Sequence, residues 1–312
     1  MRHLISLFDL SAAEIERIFA ITTDLKTKYA QGLREPLLPG RVVALLFEKP
    51  SLRTRVSFQV GMRHLGGDVV YLTPQEGVLG EREPIKDVAR VLARYVDIVA
   101  IRTFGQDIID EYSSFSRVPV INALTNEEHP CQALADILTL REKLGDLKGR
   151  AIAFVGDGNN VSTSLAITAA SVGMDVRVAT PQGYGMPEWA TSEAAVRANI
   201  AHGKFLTTND VERALAGAEV AYTDTWTSMG FEREAERRRM DFAGYQLNRE
   251  SLATAAPGAL IMHDLPAHRG EEITDEMFES EGSIIFDQAE NRTWAQAAVI
   301  AFLLGVAGRV DR

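Results

Sequence analysis

Uninterrupted apolar runs of strand length constrain this chain more than any other feature. Val42-Val43-Ala44-Leu45-Leu46-Phe47 has no polar face to turn to water, and Ile98–Ile101 and Ala151–Val155 read the same way. A strand buried on both faces belongs in a parallel sheet covered by helices. Helical spacing fills the intervals. In the first half it covers Val56–Leu65, Pro84–Tyr95, Ile108–Phe115 and His129–Leu144, after an opening helix announced by the capping box Ser11-Ala-Ala-Glu14. A polar, glycine-bearing break comes next at Gly145–Arg150, and then the rhythm restarts with helices at Ser162–Val172, Pro187–His202 and Val211–Leu215. Shorter extended segments are expected at Val69–Leu72, Val118–Ile121, Val176–Ala179, Phe205–Thr207, Val220–Thr223, Leu260–His263 and Ile284–Phe286, with a last helix at Arg292–Leu304. The alternation predicts an α/β protein of two doubly wound parallel-sheet domains, 1–145 and 146–289. The mixed-charge stretch Glu232–Arg239 reads as a solvated helix face or a mobile loop.

The 312 residues fit two domains of the usual ~150. A net charge of −10 speaks against a nucleic-acid partner, which needs a basic face. The single cysteine, Cys131, cannot form an internal disulfide and suits a reducing cytoplasm. The start of the chain reaches charge too quickly for a signal peptide. The longest apolar run, Ala297–Ala307, is about half the ~20 residues that cross a bilayer. A cytoplasmic protein with no membrane partner is the expectation.

Chemistry concentrates where strands end. Phe47-Glu-Lys-Pro-Ser51-Leu52-Arg53-Thr54-Arg55 sits at a strand-to-helix junction. Unpaired helix N–H groups, two hydroxyls and two guanidinium forks there would make a phosphate cradle; the same residues would also serve a capped helix with two surface arginines. Arg102 closes an apolar strand, at the edge where open α/β sheets bind ligands. His129 and Gln132 open a helix together. In the second half, Gly156-Asp-Gly158-Asn159-Asn160-Val161 imitates a dinucleotide fingerprint but has Val161 at its third glycine position. Asp224-Thr-Trp-Thr-Ser228-Met229-Gly230, His263-Asp264-Leu265-Pro266 and Asp287-Gln-Ala-Glu-Asn291-Arg292 come after it.

Ser51-x-Arg53-Thr54-Arg55 with His129-Pro130-x-Gln132 resembles the aspartate/ornithine carbamoyltransferases, and Asp224-x-x-x-Ser228-Met229-Gly230 is similar to the motif of the ornithine branch. The motifs run in the family's order over nearly the whole chain. The resemblance implies transfer of a carbamoyl group from carbamoyl phosphate to the δ-amine of L-ornithine, giving citrulline and phosphate. It implies a homotrimer, no cofactor and no metal, and a C-terminal helix (290–312) that packs back on the first domain. Ser51, Leu52 through its backbone, Arg53 and Thr54 would hold the phosphate. Arg102, His129 and Gln132 would engage the carbamoyl group, the first two at its oxygen, and carbonyls near Leu265 would orient its NH₂. Arg292 would add charge from the other side of a cleft. Asn160, Asp224, Ser228 and Met229 would bind ornithine, with Asp264 a further catalytic candidate facing the amine.

Two positions depart from the family pattern. Asp264 stands where the ornithine branch usually has Cys, and Val78 near where many bacterial members have a Gln that reaches a neighbouring subunit's ligand; Arg82 and Lys86 lie close by in sequence. Alternatives are an aspartate carbamoyltransferase, which Asp224 opposes, and use of putrescine or an acylated ornithine. A nicotinamide oxidoreductase using Gly156–Val161 and a metal site of His263, Asp264 and His268 come from other classes.

Overall fold

The structure is a computed structural model, described over residues 2–73 and 79–306. The chain divides into two compact units, Met1–Leu138 with Glu290–Arg312, and Thr139–Ala289.

The first unit begins with α1 (Ala12–Ala30), held by the Ser11–Glu14 capping box. Then come β1 (Val42–Phe47), α2 (Leu52–His64), β2 (Asp68–Leu72), α3 (Ile85–Leu92), β3 (Ile98–Arg102), α4 (Gln106–Phe115), β4 (Val120–Leu124) and α5 (Pro130–Leu144). The four strands are parallel in the order β2-β1-β3-β4. All of β3 and β4, and β1 beyond Val42, are buried, as the apolar runs require. Ala44, Leu46, Val99, Ile101, Ile109, Tyr112 and Val120 pack into one core cluster. The β1–β3 register places Phe47 beside Arg102, so the two strand ends lie side by side.

The second unit contains β5 (Ala151–Val155), α6 (Asn160–Ser171), β6 (Asp175–Ala179), α7 (Glu188–Ala201), β7 (Lys204–Thr208), α8 (Val211–Leu215), β8 (Val220–Thr223), α9 (Ala235–Asp241), β9 (Leu260–His263) and α10 (Asp275–Phe278). Its five strands are parallel in the order β7-β6-β5-β8-β9, so β5 and β8 are adjacent although far apart in sequence. The final helix, α11 (Ile285–Leu303), begins in this unit and ends in the first. The division between units falls inside α5 and inside α11.

One local expectation needs correction, and the solvated helix face read at Glu232–Arg239 has one exception. Ile284–Phe286 is not a strand: Ser283 makes a single bridge to Ile261, Ile284 N–H donates to the Ile261 carbonyl at 3.0 Å, and the chain then enters α11. Three apolar residues fit either period, and here the helical period wins. The Glu232–Arg239 stretch is a short 3-10 turn (Glu232–Glu234) leading into α9, and it buries Arg238.

The N-terminal segment is stitched to β4. Leu4 N–H donates to the Val120 carbonyl at 2.8 Å and the Leu4 carbonyl accepts from Asn122 N–H at 2.7 Å. Beyond it, the buried Glu128 carboxylate accepts from Leu7 N–H at 2.9 Å and from the Ser6 hydroxyl. Burial pushes the Glu128 carboxyl up to about 7, against the pull of those donors. A carboxyl raised in the folded state contributes stability that is complete at acid pH and is lost as pH rises through about 7. Glu128→Gln should therefore melt a few degrees higher than wild type at about pH 8, the gap narrowing steadily as pH falls toward about 5. A gap independent of pH, read by thermal denaturation, would refute this.

Candidate active site

In the first unit the site is built on the carboxyl ends of β1 and β3. Ser51 is the N-cap of α2, its oxygen accepting from Thr54 N–H at 3.2 Å, which leaves the hydroxyl proton to donate elsewhere. The unpaired N–H groups of the first turn and the helix dipole favour an anion at this point. Leu52 is exposed, and the half-buried Arg53 side chain makes no hydrogen bond or ion pair with another described residue. Arg55 turns instead over the Tyr71 ring, 5.0 Å from its centre.

Behind this turn lies a buried chain of polar groups. Arg292 donates through Nη2 to Thr54 Oγ1 at 2.8 Å and through Nη1 to Gln132 Oε1 at 2.6 Å. Gln132 in turn donates through Nε2 to Asp136 Oδ1 at 2.8 Å. Asp136 thus fixes which way the Gln132 amide points, and the amide carbonyl then receives the arginine. Arg292 belongs to the same compact unit as Thr54 and Gln132, which corrects its expected place across a cleft. Its helix starts well before it, so the side chain projects from an interior turn rather than a frayed end.

Arg102 and His129 are buried in this unit as well. Burial, then the charge of Arg292, then that of Arg102 hold the His129 imidazole well below its ordinary value. It is neutral at pH 7, a hydrogen-bond donor without a positive charge. Sequence reading passed over Glu48, although it sits inside the Phe47–Arg55 motif. Its buried carboxylate accepts from Leu79 N–H at 2.6 Å and from the Thr103 hydroxyl. Asp136 was also missed, and the helical i, i+4 spacing from Gln132 was the available signal. Val78 lies outside the described residues; Arg82 and Lys86 are exposed.

In the second unit, Asn160 is the first residue of α6, but its neighbour Asn159 makes the bond that orders the site. Asn159 Oδ1 caps α6 by accepting from Val161 and Ser162 N–H, while its Nδ2 donates to Asp224 Oδ2 at 2.7 Å. The other Asp224 oxygen accepts from Thr225 N–H at 2.6 Å. Gly158 has a packing reason of its own: a Cβ there would lie 2.3 Å from the Gly185 carbonyl carbon and the Met186 nitrogen. Backbone approach thus accounts for this glycine without a dinucleotide. Ser228 and Met229 enter a turn completed by Gly230 at φ +100°, with Met229 exposed.

Asp264 lies close to Asp224: a carboxylate oxygen of each and a ring nitrogen of His263 fall within 4.8 Å of one another. His263 is committed on both sides. Its Nδ1 accepts from Leu265 N–H at 2.9 Å, which assigns the proton to Nε2, 3.0 Å from Glu272 Oε1. The imidazole therefore has no lone pair left for an ion, and His268 groups with Glu271 and Glu272 instead of completing the expected triad. Leu265 adopts φ +64°, uncommon for a residue with a Cβ.

The aspartate/ornithine carbamoyltransferase carbamoyl-P binding domain model matches residues 2–142, and the Asp/Orn binding domain model of the same family matches 148–303. The chain belongs to the aspartate/ornithine carbamoyltransferase family. Within that family it is 48% identical over 302 residues to an ornithine carbamoyltransferase of Gloeobacter violaceus, covering 97% of this chain and 95% of that protein. A Pyrococcus furiosus relative named ornithine carbamoyltransferase, anabolic, is 45% identical over 304 residues, 97% of this chain and 96% of that protein. The solved ornithine carbamoyltransferase of Pyrococcus furiosus superposes with a TM-score of 0.95 at 45% identity, covering 97% of each chain. The carbamoyl-P model spans Ser51–Arg55, Arg102, His129 and Gln132, but Arg292 falls in the Asp/Orn model although it is built into the first compact unit. In this carbamoyltransferase, family boundaries along the sequence and compact units in space differ at α11.

The cations around His129 make a measurable prediction. Arg292→Gln removes one of two guanidinium charges, so the imidazole should titrate nearer its ordinary value while staying below it, because burial is the larger cause. The neutral form stabilises the fold above about pH 6.5 and that contribution is lost on acidification. Histidine NMR titration reads the shift; an unmoved His129 resonance would show that Arg292 exerts no field there.

Proposed function

We propose that this carbamoyltransferase transfers the carbamoyl group of carbamoyl phosphate to the δ-amine of L-ornithine, giving L-citrulline and phosphate. The observation that carries the reading is a helix N-terminus fitted for an anion and tied through the buried Arg292 to Gln132, three residues after the buried His129. Ser51, the Leu52 backbone, Arg53 and Thr54 take the phosphate. Arg102 and the His129 N–H donate to the carbamoyl oxygen as negative charge grows on it, an effect usually worth about 3–4 kcal/mol per donor. A neutral imidazole suits this role because it gives a proton to a hydrogen bond without surrendering it. Arg292 acts through its grip on Thr54 and Gln132, and the Leu265 carbonyl faces the carbamoyl NH₂. The amine nitrogen bonds to the carbamoyl carbon, the carbon–oxygen bond to phosphate breaks, and the departing phosphate takes up the proton that the amine sheds.

On the acceptor side, Asn160, Ser228 and Met229 contact the amino acid, and Asp224 with Asp264 faces the amine. Arginine biosynthesis is the direction favoured by the similarity to a relative named anabolic. A homotrimer in the cytoplasm completes the reading, which rests there on the family resemblance. The proximity of Asp224 and Asp264 favours one second reading, a diamine such as putrescine, which brings no carboxylate to repel them.

Citrulline and related products should be measured across ornithine, putrescine, lysine, N-acetylornithine and aspartate. L-Ornithine is expected to lead the panel by about tenfold or more in kcat/KM, which is about 1.4 kcal/mol of discrimination. Putrescine ahead of ornithine would move the assignment to the second reading.

The paired carboxylates also set a pH dependence. A free alkyl ammonium loses its proton near 10.4, and two facing carboxylates hold that proton more tightly. The optimum should lie on the alkaline side, and Asp264→Asn should move the rising limb of kcat, which reports the bound amine, toward lower pH. Superimposable profiles for wild type and Asp264→Asn would remove Asp264 from the handling of the amine.

A further inference from the structure

Arg238 is the one strongly buried member of the charged run that the sequence marks as solvated. Its side chain is 8% exposed. Nη1 donates to Asp157 Oδ2 at 2.7 Å and to the Trp226 carbonyl at 2.9 Å, while Nε donates to Glu234 Oε2 at 3.1 Å. The guanidinium also lies over the rings of Tyr184 and Phe231, 5.0 and 5.2 Å from their centres. Trp226 and Phe231 stand on either side of Ser228-Met229-Gly230. One side chain therefore grips the chain where it enters that turn and where it leaves. Tyr184 supports the same arrangement, its hydroxyl donating to Asp241 Oδ2 at 2.6 Å and its carbonyl accepting from Gly158 N–H at 2.8 Å. Asp157 in turn lies two residues before Asn159, which holds Asp224.

We propose that Arg238 is a positioning residue for the acceptor: by gripping both ends of the Ser228-Met229-Gly230 turn and anchoring them to Asp157, it sets where that turn meets the amino-acid substrate. The inference rests on the acceptor role proposed for Ser228 and Met229. The energetics favour position over stability as the reason for the pair. Burial pushes the Asp157 carboxyl up in spite of the adjacent guanidinium, while Asp157 and Glu234 raise Arg238 in spite of its own burial, so the pair gives no clear gain in stability. A buried pair of this kind is poor evidence for stabilisation, and setting geometry is a role it can still fill.

The test compares wild type, Arg238→Met, Asp157→Asn and the double variant. Met keeps length and apolar contact with the rings while removing every donor. For Arg238→Met the ornithine KM should rise about tenfold or more, with kcat and the carbamoyl phosphate KM within about threefold of wild type. Asp157→Asn should move the ornithine KM the same way by about threefold, and the double variant should be no worse than Arg238→Met alone, as for two parts of one device. A structural readout needs no substrate: trypsin should cut after Arg233 and Arg237 faster in Arg238→Met than in wild type. Equal shifts in both KM values, or none, would overturn the proposal, as would unchanged proteolysis. If Arg238→Met does not fold, Asp157→Asn decides, and a wild-type ornithine KM in that variant overturns it. Failure of the acceptor assignment is told apart by the wild-type panel, and whichever amine leads it then replaces ornithine in these assays.

Discussion

A guanidinium taken out of water must find acceptors, and Arg292 finds them on two other helices, at Thr54 and at Gln132. The rest of the first unit's site depends on that requirement. Gln132 can present its carbonyl to the arginine because Asp136 draws its NH₂ away, and Thr54 is fixed both by the helix it begins and by the arginine behind it. The charge so placed adds to burial, the larger cause, in holding the His129 imidazole well below its ordinary value. A cluster that would otherwise be an expensive burial of polar groups becomes a set of aimed donors. Aimed donors are what an anionic ligand and a developing oxyanion both demand.

The second unit solves the complementary problem with opposite charge. Among the described residues Asp224 is held by an asparagine side chain and a backbone N–H and by no cation, so its carboxyl group is oriented without an ion pair. His263 stiffens the neighbouring strand end in a similar way, committing both nitrogens to Leu265 and Glu272. One unit gathers arginines and helix N–H groups, and the other sets two aspartates, Asp224 and Asp264, close together.

Much of this was legible in the sequence, for reasons that can be named. Strands such as Val42–Phe47 and Ala151–Val155 announce themselves because burial on both faces leaves no polar position, and Ser11 and Ser51 mark helix starts because a cap needs a short oxygen. Ser51, Arg102, His129 and Asp224 stood out because they end strands or begin helices at the carboxyl edge. Residues that act by contact with distant partners did not stand out. Asn159 looked like the lesser of two asparagines until the β5–β8 pairing brought Asp224 beside it. Arg238 looked solvated because a charged run carries no mark of which member turns inward. Ile284–Phe286 was misread because three apolar residues have no period, and α11 extends through them.

The first compact unit is discontinuous in the chain, since α11 returns the chain from Glu290 onward to a body otherwise finished by Leu138. On the ribosome, where domains fold in the order they emerge, this inverts the usual sequence of events. The unit synthesised first is completed last, after all of the second unit has been made. Until Arg292 emerges, Thr54 and Gln132 lack the cation that joins them. A nascent chain that has not yet reached Arg292 therefore holds Thr54 and Gln132 without the bridge that joins their two helices.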